Sequence, residues 1–153
     1  MNILTLITGN QNISRYVLRL DNNPLDPAKP DITDDLIGLG NIIPALFDGN
    51  VKDYIDIKIF IYPQRGSLKE KPLGDVFFNI DIIIPDEYIT LSGLGQFRTF
   101  RIADEITKML DGKSEIAGIG AMNVVDFINY KIPNSIYSGL TIRVLVNSVT
   151  MNG

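Results

Sequence analysis

Hydrophobic positions fall into two periods along this chain. Ile13, Tyr16, Val17 and Leu20 recur at spacings of three and four, the stripe of an amphipathic helix, with Arg15 and Arg19 on its other side. A short apolar segment with Ile3, Leu4, Leu6 and Ile7 precedes it, and Asn10 or Asn12 can cap the helix start. A second stripe, Ile102, Ala103, Ile106, Met109 and Leu110, predicts a helix over Thr99–Leu110, with Gly112 where a helix end takes left-handed backbone. Elsewhere the period is two. Tyr54–Tyr62 puts Ile55, Ile57, Ile59 and Ile61 on one face and Asp56 and Lys58 on the other. Val76–Ile84 repeats the alternation with Val76, Phe78, Ile80, Ile82 and Ile84 inward and Asn79 and Asp81 outward. The polar stretch Pro63–Gly74 between them is too long for a tight turn and predicts an antiparallel hairpin with a long loop.

Two more strands are expected over Val124–Lys131 and Leu140–Val149, and Ile116–Met122, broken by Gly118 and Gly120, suits a bulged strand. Three prolines and four Asn or Asp residues in Asp21–Pro30 exclude helix and ladder there. A short helical turn is expected at Asp34–Leu39, after which Ile42, Ile43, Leu46 and Phe47 surround Pro44. So many large apolar residues in a loop must dock on something. The order of elements predicts one α+β domain over residues 1–153. Its expected architecture is a mostly antiparallel sheet of four to five strands with two helices packed on one face, plus an extended proline-rich arm at about 21–47.

Composition narrows the chemistry. The 153 residues contain no Cys, no His and no Trp. That excludes disulfides, ordinary zinc or haem sites, a cysteine nucleophile and a Ser-His-Asp triad. No cofactor is expected and an enzyme is disfavoured. A net charge of −4 is the wrong sign for gathering phosphates along a duplex. The start lacks the basic region and cleavage site of a secretion signal, and no apolar run is long enough to span a membrane, so the sequence reads as soluble and cytosolic.

Candidate chemical groups are few. Asp34 with Asp35, and Asp56 with Asp81 on neighbouring strands, are the best carboxylate pairs, able to bind Mg²⁺ if held a few ångströms apart. Asp alternating with Ile is equally what an amphipathic strand requires, and that reading is favoured. The glycine pairs Gly93/Gly95 and Gly118/Gly120 lack phosphate-loop spacing. Arg98 and Arg101 open the second helix, where cations oppose the helix dipole, so a solvated surface or partners elsewhere must explain them. Tyr54, Phe60, Tyr62, Phe77 and Ile83 are expected on outward strand faces. Large apolar residues on such a face are covered either by a helix or by another chain, and with only two convincing helices some of this surface is expected to meet a neighbour.

Taken in order, these pieces resemble the tail-terminator, tail-completion or neck proteins of tailed bacteriophages, also called head–tail joining proteins. The likeness rests on the early helix and the arm PLDPAKPDITDD, on IIPALF, and on the strands IDIKIFIYPQ and DVFFNIDIIIP. It continues through the helix FRTFRIADEITKMLDG and IAGIGAMNV to the closing YSGLTIRVLV, covering nearly the whole chain. The resemblance implies a structural virion protein. Such proteins form a ring, commonly of six copies, that caps the tail tube and meets the head connector or adaptor. It further implies assembly in the host cytoplasm, no membrane partner, and nucleic acid at most passing through the ring lumen. Within that frame Ile42, Ile43, Pro44, Phe47, Phe60 and Tyr62 are candidates for the subunit interface. Arg65, Lys69 and Lys71 are candidates for a loop facing the tube or lumen. Rival readings are another phage ring component, such as a connector adaptor or baseplate protein, and a small metal-dependent hydrolase using Asp56 and Asp81.

Overall fold

The computed structural model describes residues 3–49, 54–63, 76–93, 96–113 and 121–146. Helix α1 (Ile3–Thr8) runs into α2 (Gln11–Leu18), whose start is capped by Asn10: its side chain accepts a hydrogen bond from the Ile13 N–H at 3.1 Å. Strand β1 (Ile42–Ile43) pairs parallel with β2 (Lys58–Pro63). β3 (Val76–Pro85) follows antiparallel to β2, then a short 3-10 turn at Asp86–Tyr88 and α3 (Arg98–Leu110). β4 (Met122–Lys131) and β5 (Tyr137–Val146) complete an α+β fold with sheet order β1-β2-β3-β5-β4.

One face of the sheet carries the main core. Ile59, Ile80, Ile82, Leu140, Ile142 and Val144 are buried there against Ile7, Ile13, Val17, Ile102 and Ile106 from the three helices. The predicted stripe of α3 is buried as expected except Met109, which is half-buried at its edge. The helix begins one residue early, at Arg98, and ends at Leu110 as expected, with Asp111 as its cap and Gly112 at φ +72° in the left-handed region.

Several expectations change. β2 begins at Lys58 rather than Tyr54, and Ile55, expected inward, is 79% exposed. The cause lies in the arm. Asn41 donates from its side chain to the Ile57 carbonyl at 2.9 Å and accepts from the Ile59 N–H at 2.7 Å, so the arm fixes the backbone before the ladder with β3 can begin. The turn expected at Asp34–Leu39 is present as a single turn, the Leu39 N–H donating to the Asp35 carbonyl at 2.9 Å; it buries Leu36 and leads into β1, so the arm expected to be irregular contributes a short strand. β5 starts earlier than expected, at Tyr137. The expected bulge segment Ile116–Met122 lies outside the described residues except for Ala121 and Met122, but β4 carries an irregularity between Val124 and Asp126.

The outward strand residues also find cover within the chain. Phe60 and Ile83 are buried in a second cluster with Ile132, flanked by Ile43, Phe47, Tyr54, Tyr62, Tyr130 and Tyr137. The Phe47 and Phe60 rings lie 5.1 Å apart, and the Tyr54 ring meets Tyr137 edge-on at 6.3 Å. Tyr137 donates its hydroxyl to the Tyr54 carbonyl at 2.5 Å. The alternation was right, but the segments on either side of β1 and β2 fold back over this face.

Candidate functional site

The open face of the sheet centres on a carboxylate. β3 places Asp81 opposite Phe60 of β2 and Thr141 of β5, and Asn79 opposite Tyr62 and Arg143. These residues share one face because of the period of two. Tyr62 donates to Asp81 at 2.8 Å and Thr141 donates to it at 2.5 Å, so both carboxylate oxygens are held by hydroxyls. Asn79 donates to the Tyr62 oxygen at 3.3 Å. Burial raises the Tyr62 pKa above the usual phenol value, and the Asp81 carboxylate beside it adds to that rise. The Tyr130 ring lies over Gly139, so a Cβ at this position would have to push the end of that ring aside. Arg143 reaches the other way, with its Nε 2.8 Å from Asp126.

The carboxylates expected as pairs are engaged separately. Asp81 stands opposite Phe60 within the β2–β3 ladder, whereas Asp56 precedes the start of β2. Asp56 is engaged by Lys58 at 3.1 Å and by Asn41 at 3.2 Å. Asp35 caps its own turn by accepting from the Ile37 N–H. Among the described residues no group of three or more acidic or other metal-ligating side chains is placed to hold a metal ion.

Arg98 proves to be an internal clamp. Its side chain is 0% exposed and donates to the backbone carbonyls of Tyr88, Tyr16, Arg19 and Asp21. Two of these acceptors, Tyr16 and Arg19, lie at the C-terminal end of α2, where carbonyls lack helical partners. Burial pulls the Arg98 pKa below the usual arginine value, opposed by the nearby Asp21 charge. The sequence favours a solvated Arg98, and the structure overturns that: the side chain is buried and finds at distant carbonyls the partners a cation lacks at a helix start.

Exposed apolar residues gather at the two edges of the sheet. At the β1 edge, Ile37, Leu39 and Leu46 are exposed, Leu46 by 66%. At the β4 edge, Val125, Phe127 and Ile128 are exposed along a ten-residue strand that pairs with β5 on one side and has no strand beside it on the other among the described residues. On the helix side of that edge, Phe127 meets Phe100 of α3 at 5.9 Å, and Phe100 meets Phe97 at 5.9 Å. Gln96, Phe97, Phe100, Arg101 and Asp104 line an open groove of about 370 Å³ beside them. Sequence reading did not single out this aromatic seam. The signal available was the spacing of three between Phe97 and Phe100, which places both on one side of a helix.

The structure distributes the predicted interface residues unevenly. Ile42 is buried in the main core and Phe60 in the second cluster, so both side chains are spent within this chain. Ile43, Phe47 and Tyr62 are half-buried around Phe60, and Pro44 is exposed. Arg65, Lys69 and Lys71 lie outside the described residues. None of the helices among the described residues is long and apolar enough to cross a membrane.

Comparison with known proteins adds a family. A solved chain described as "Virion of native gene transfer agent (GTA) particle" is similar at a TM-score of 0.43 and 12% identity, covering 86% of this chain and 96% of that one. Among curated proteins none matches. The family model YomW matches residues 10–146, from the Asn10 cap of α2 to the last residue of β5. That span contains both sheet edges, the Arg98 clamp and the Asp81 face, and the chain belongs to the YomW family.

Proposed function

We propose that this chain is a structural protein of a phage virion, assembled as a ring at the head-proximal end of the tail, where it caps the tube and joins it to the head connector. The observation that carries this reading is the sorting of exposed apolar residues to opposite edges of one sheet. A molecule with a patch at each edge can repeat one contact head to tail, and if the rotation closes, the product is a ring. The resemblance in element order to tail-terminator proteins supplies the location and the expectation of six copies. The basic residues Arg65, Lys69 and Lys71 are then assigned to the tube or lumen side, with the tail tube protein and the connector or adaptor as neighbours. The arm contributes to the subunit contact through Pro44 and the residues beside it.

The test is electron microscopy of particles from cells in which the gene is disrupted, with the tagged protein imaged in intact particles. Separate heads and overlong tails, and a tag at the neck, are expected. A tag at the baseplate, or joined particles of normal tail length without the protein, would overturn the assignment.

A further inference from the structure

The two sheet edges differ in charge as well as in shape. Asp31–Asp48, on either side of β1, contains four aspartates and no Lys or Arg, with Asp31 paired to Arg15 of α2. Asp34 is exposed there and makes no hydrogen bond or ion pair among the described residues. At the other edge, the groove between Gln96 and Asp104 contains Arg101, half-buried, whose side chain makes no hydrogen bond or ion pair among the described residues. Its acidic neighbours on α3 are already engaged. Asp104 pairs with Lys108 at 2.7 Å, and Glu105 accepts from Asn12 at 3.2 Å. A guanidinium beside two aromatic rings is therefore left over, and it suits an occupant that brings both an aliphatic side chain and a carboxylate.

The β1 edge offers that combination. Ile37, Leu39 and Leu46 are exposed on either side of β1, and Asp34 and Asp35 precede them directly. We infer that the α3 groove of one copy receives the β1 edge of the next, with the exposed aliphatic residues against Phe97 and Phe100 and Asp34 facing Arg101. The occupant is a second copy of this chain. Groove and ligand edge lie at opposite ends of the strand order, so one copy cannot fill its own groove, while a neighbour can. This contact rests on the ring reading above and gives it a specific interface, in which Arg101 and Asp34 set the register and the apolar residues supply the burial.

Because the chain has no cysteine, single introduced thiols report contacts without ambiguity. The full chain carrying Leu46→Cys is mixed with the full chain carrying Gln96→Cys and treated with a short bis-maleimide, and the products are mapped by mass spectrometry. Cross-links between 46 and 96 of different copies are expected, in clear excess over those formed with a Glu87→Cys control. Adding Arg101→Glu to the Gln96→Cys chain should lower the yield about tenfold, as for reversing one member of a desolvated pair. Adding Asp34→Arg to its partner should restore it. Circular dichroism of each variant establishes that it is folded. A 46–96 yield no higher than the control, a yield indifferent to Arg101→Glu, or exclusive 46–46 products would overturn the contact. The readings fail separately: a 46–96 contact in a protein imaged away from the neck refutes only the location, and a neck protein without that contact refutes only the interface.

Discussion

The two faces of the sheet achieve burial by different means. On the helix side, Ile59, Ile80, Ile82, Leu140 and Ile142 meet aliphatic residues projected by three helices, whose buried polar side chains are Ser14, Thr99 and Arg98, the last binding four carbonyls. On the open side, no helix of the described residues covers the strands. Phe60 and Ile83 are instead sheltered by aromatic side chains from loops and neighbouring strands, and beside them Asp81 and Asn79 are buried in a network of hydroxyls. A prefabricated layer can exclude water with simple apolar contacts. A face covered piecemeal uses Tyr, Thr and Asn, whose polar tips can stay wet or pair with one another.

If that contrast is right, the largest effect belongs to the clamp on the helix side. Arg98→Met should cost about 3–5 kcal/mol, because each buried acceptor left unsatisfied costs about 1–3 kcal/mol and some of the four will regain water. Urea denaturation measures this, and a loss below about 1 kcal/mol would mean that the helical layer holds together without the clamp. A sharper comparison uses two neighbours on β3 with opposite orientations and equal burial, Ile82 and Ile83. Ile82→Ala should lose about 3–4 kcal/mol within a rigid aliphatic core, and Ile83→Ala about 2–3 kcal/mol, because the half-buried rings around it can shift to fill the space. Equal losses in the same titration would erase the distinction between the faces.

The smallest effect concerns pH on the open side. The hydrogen bond from Arg143 holds the Asp126 carboxyl below its ordinary value, with the Arg143 charge acting in the same sense. A folded-state pKa below the unfolded value of about 3.9 means that this pair stabilises the protein above that value and stops doing so as pH falls through the folded pKa. Thermal melting of wild type and Asp126→Asn should therefore differ slightly at pH 7 and converge near pH 2. A difference that grows in acid would reverse the sign and exclude the pair as its source.

Much of the fold was legible because periodicity is a local property. The stripe of α3, the alternation in β2, β3 and β5, the Asn10 cap and the Gly112 end each depend on residues a few positions apart. Ile55 marks the limit of that logic: its position in the alternation is correct for a strand, but Asn41, distant in sequence, fixes the backbone beside it first. Phe60 shows the same limit for exposure, since the pattern placed it on the outward face and could not reveal that Phe47 and Tyr54 would cover it.

The sequence by itself determined the α+β class, helices α2 and α3, most of strands β2 to β5, and the absence of cysteine and histidine chemistry, because composition and short-range spacing suffice for those; α1 and the two-residue β1 emerged only in the structure. Only the tertiary structure decided which apolar residues remain exposed. Strand order sends Leu46 to one edge and Phe127 to the other, and the docking of α3 leaves the Arg101 side chain beside Phe97 and Phe100 without an ion pair among the described residues. Exposure and pairing are relations between distant segments, and they arise only once the sheet has placed those segments in space.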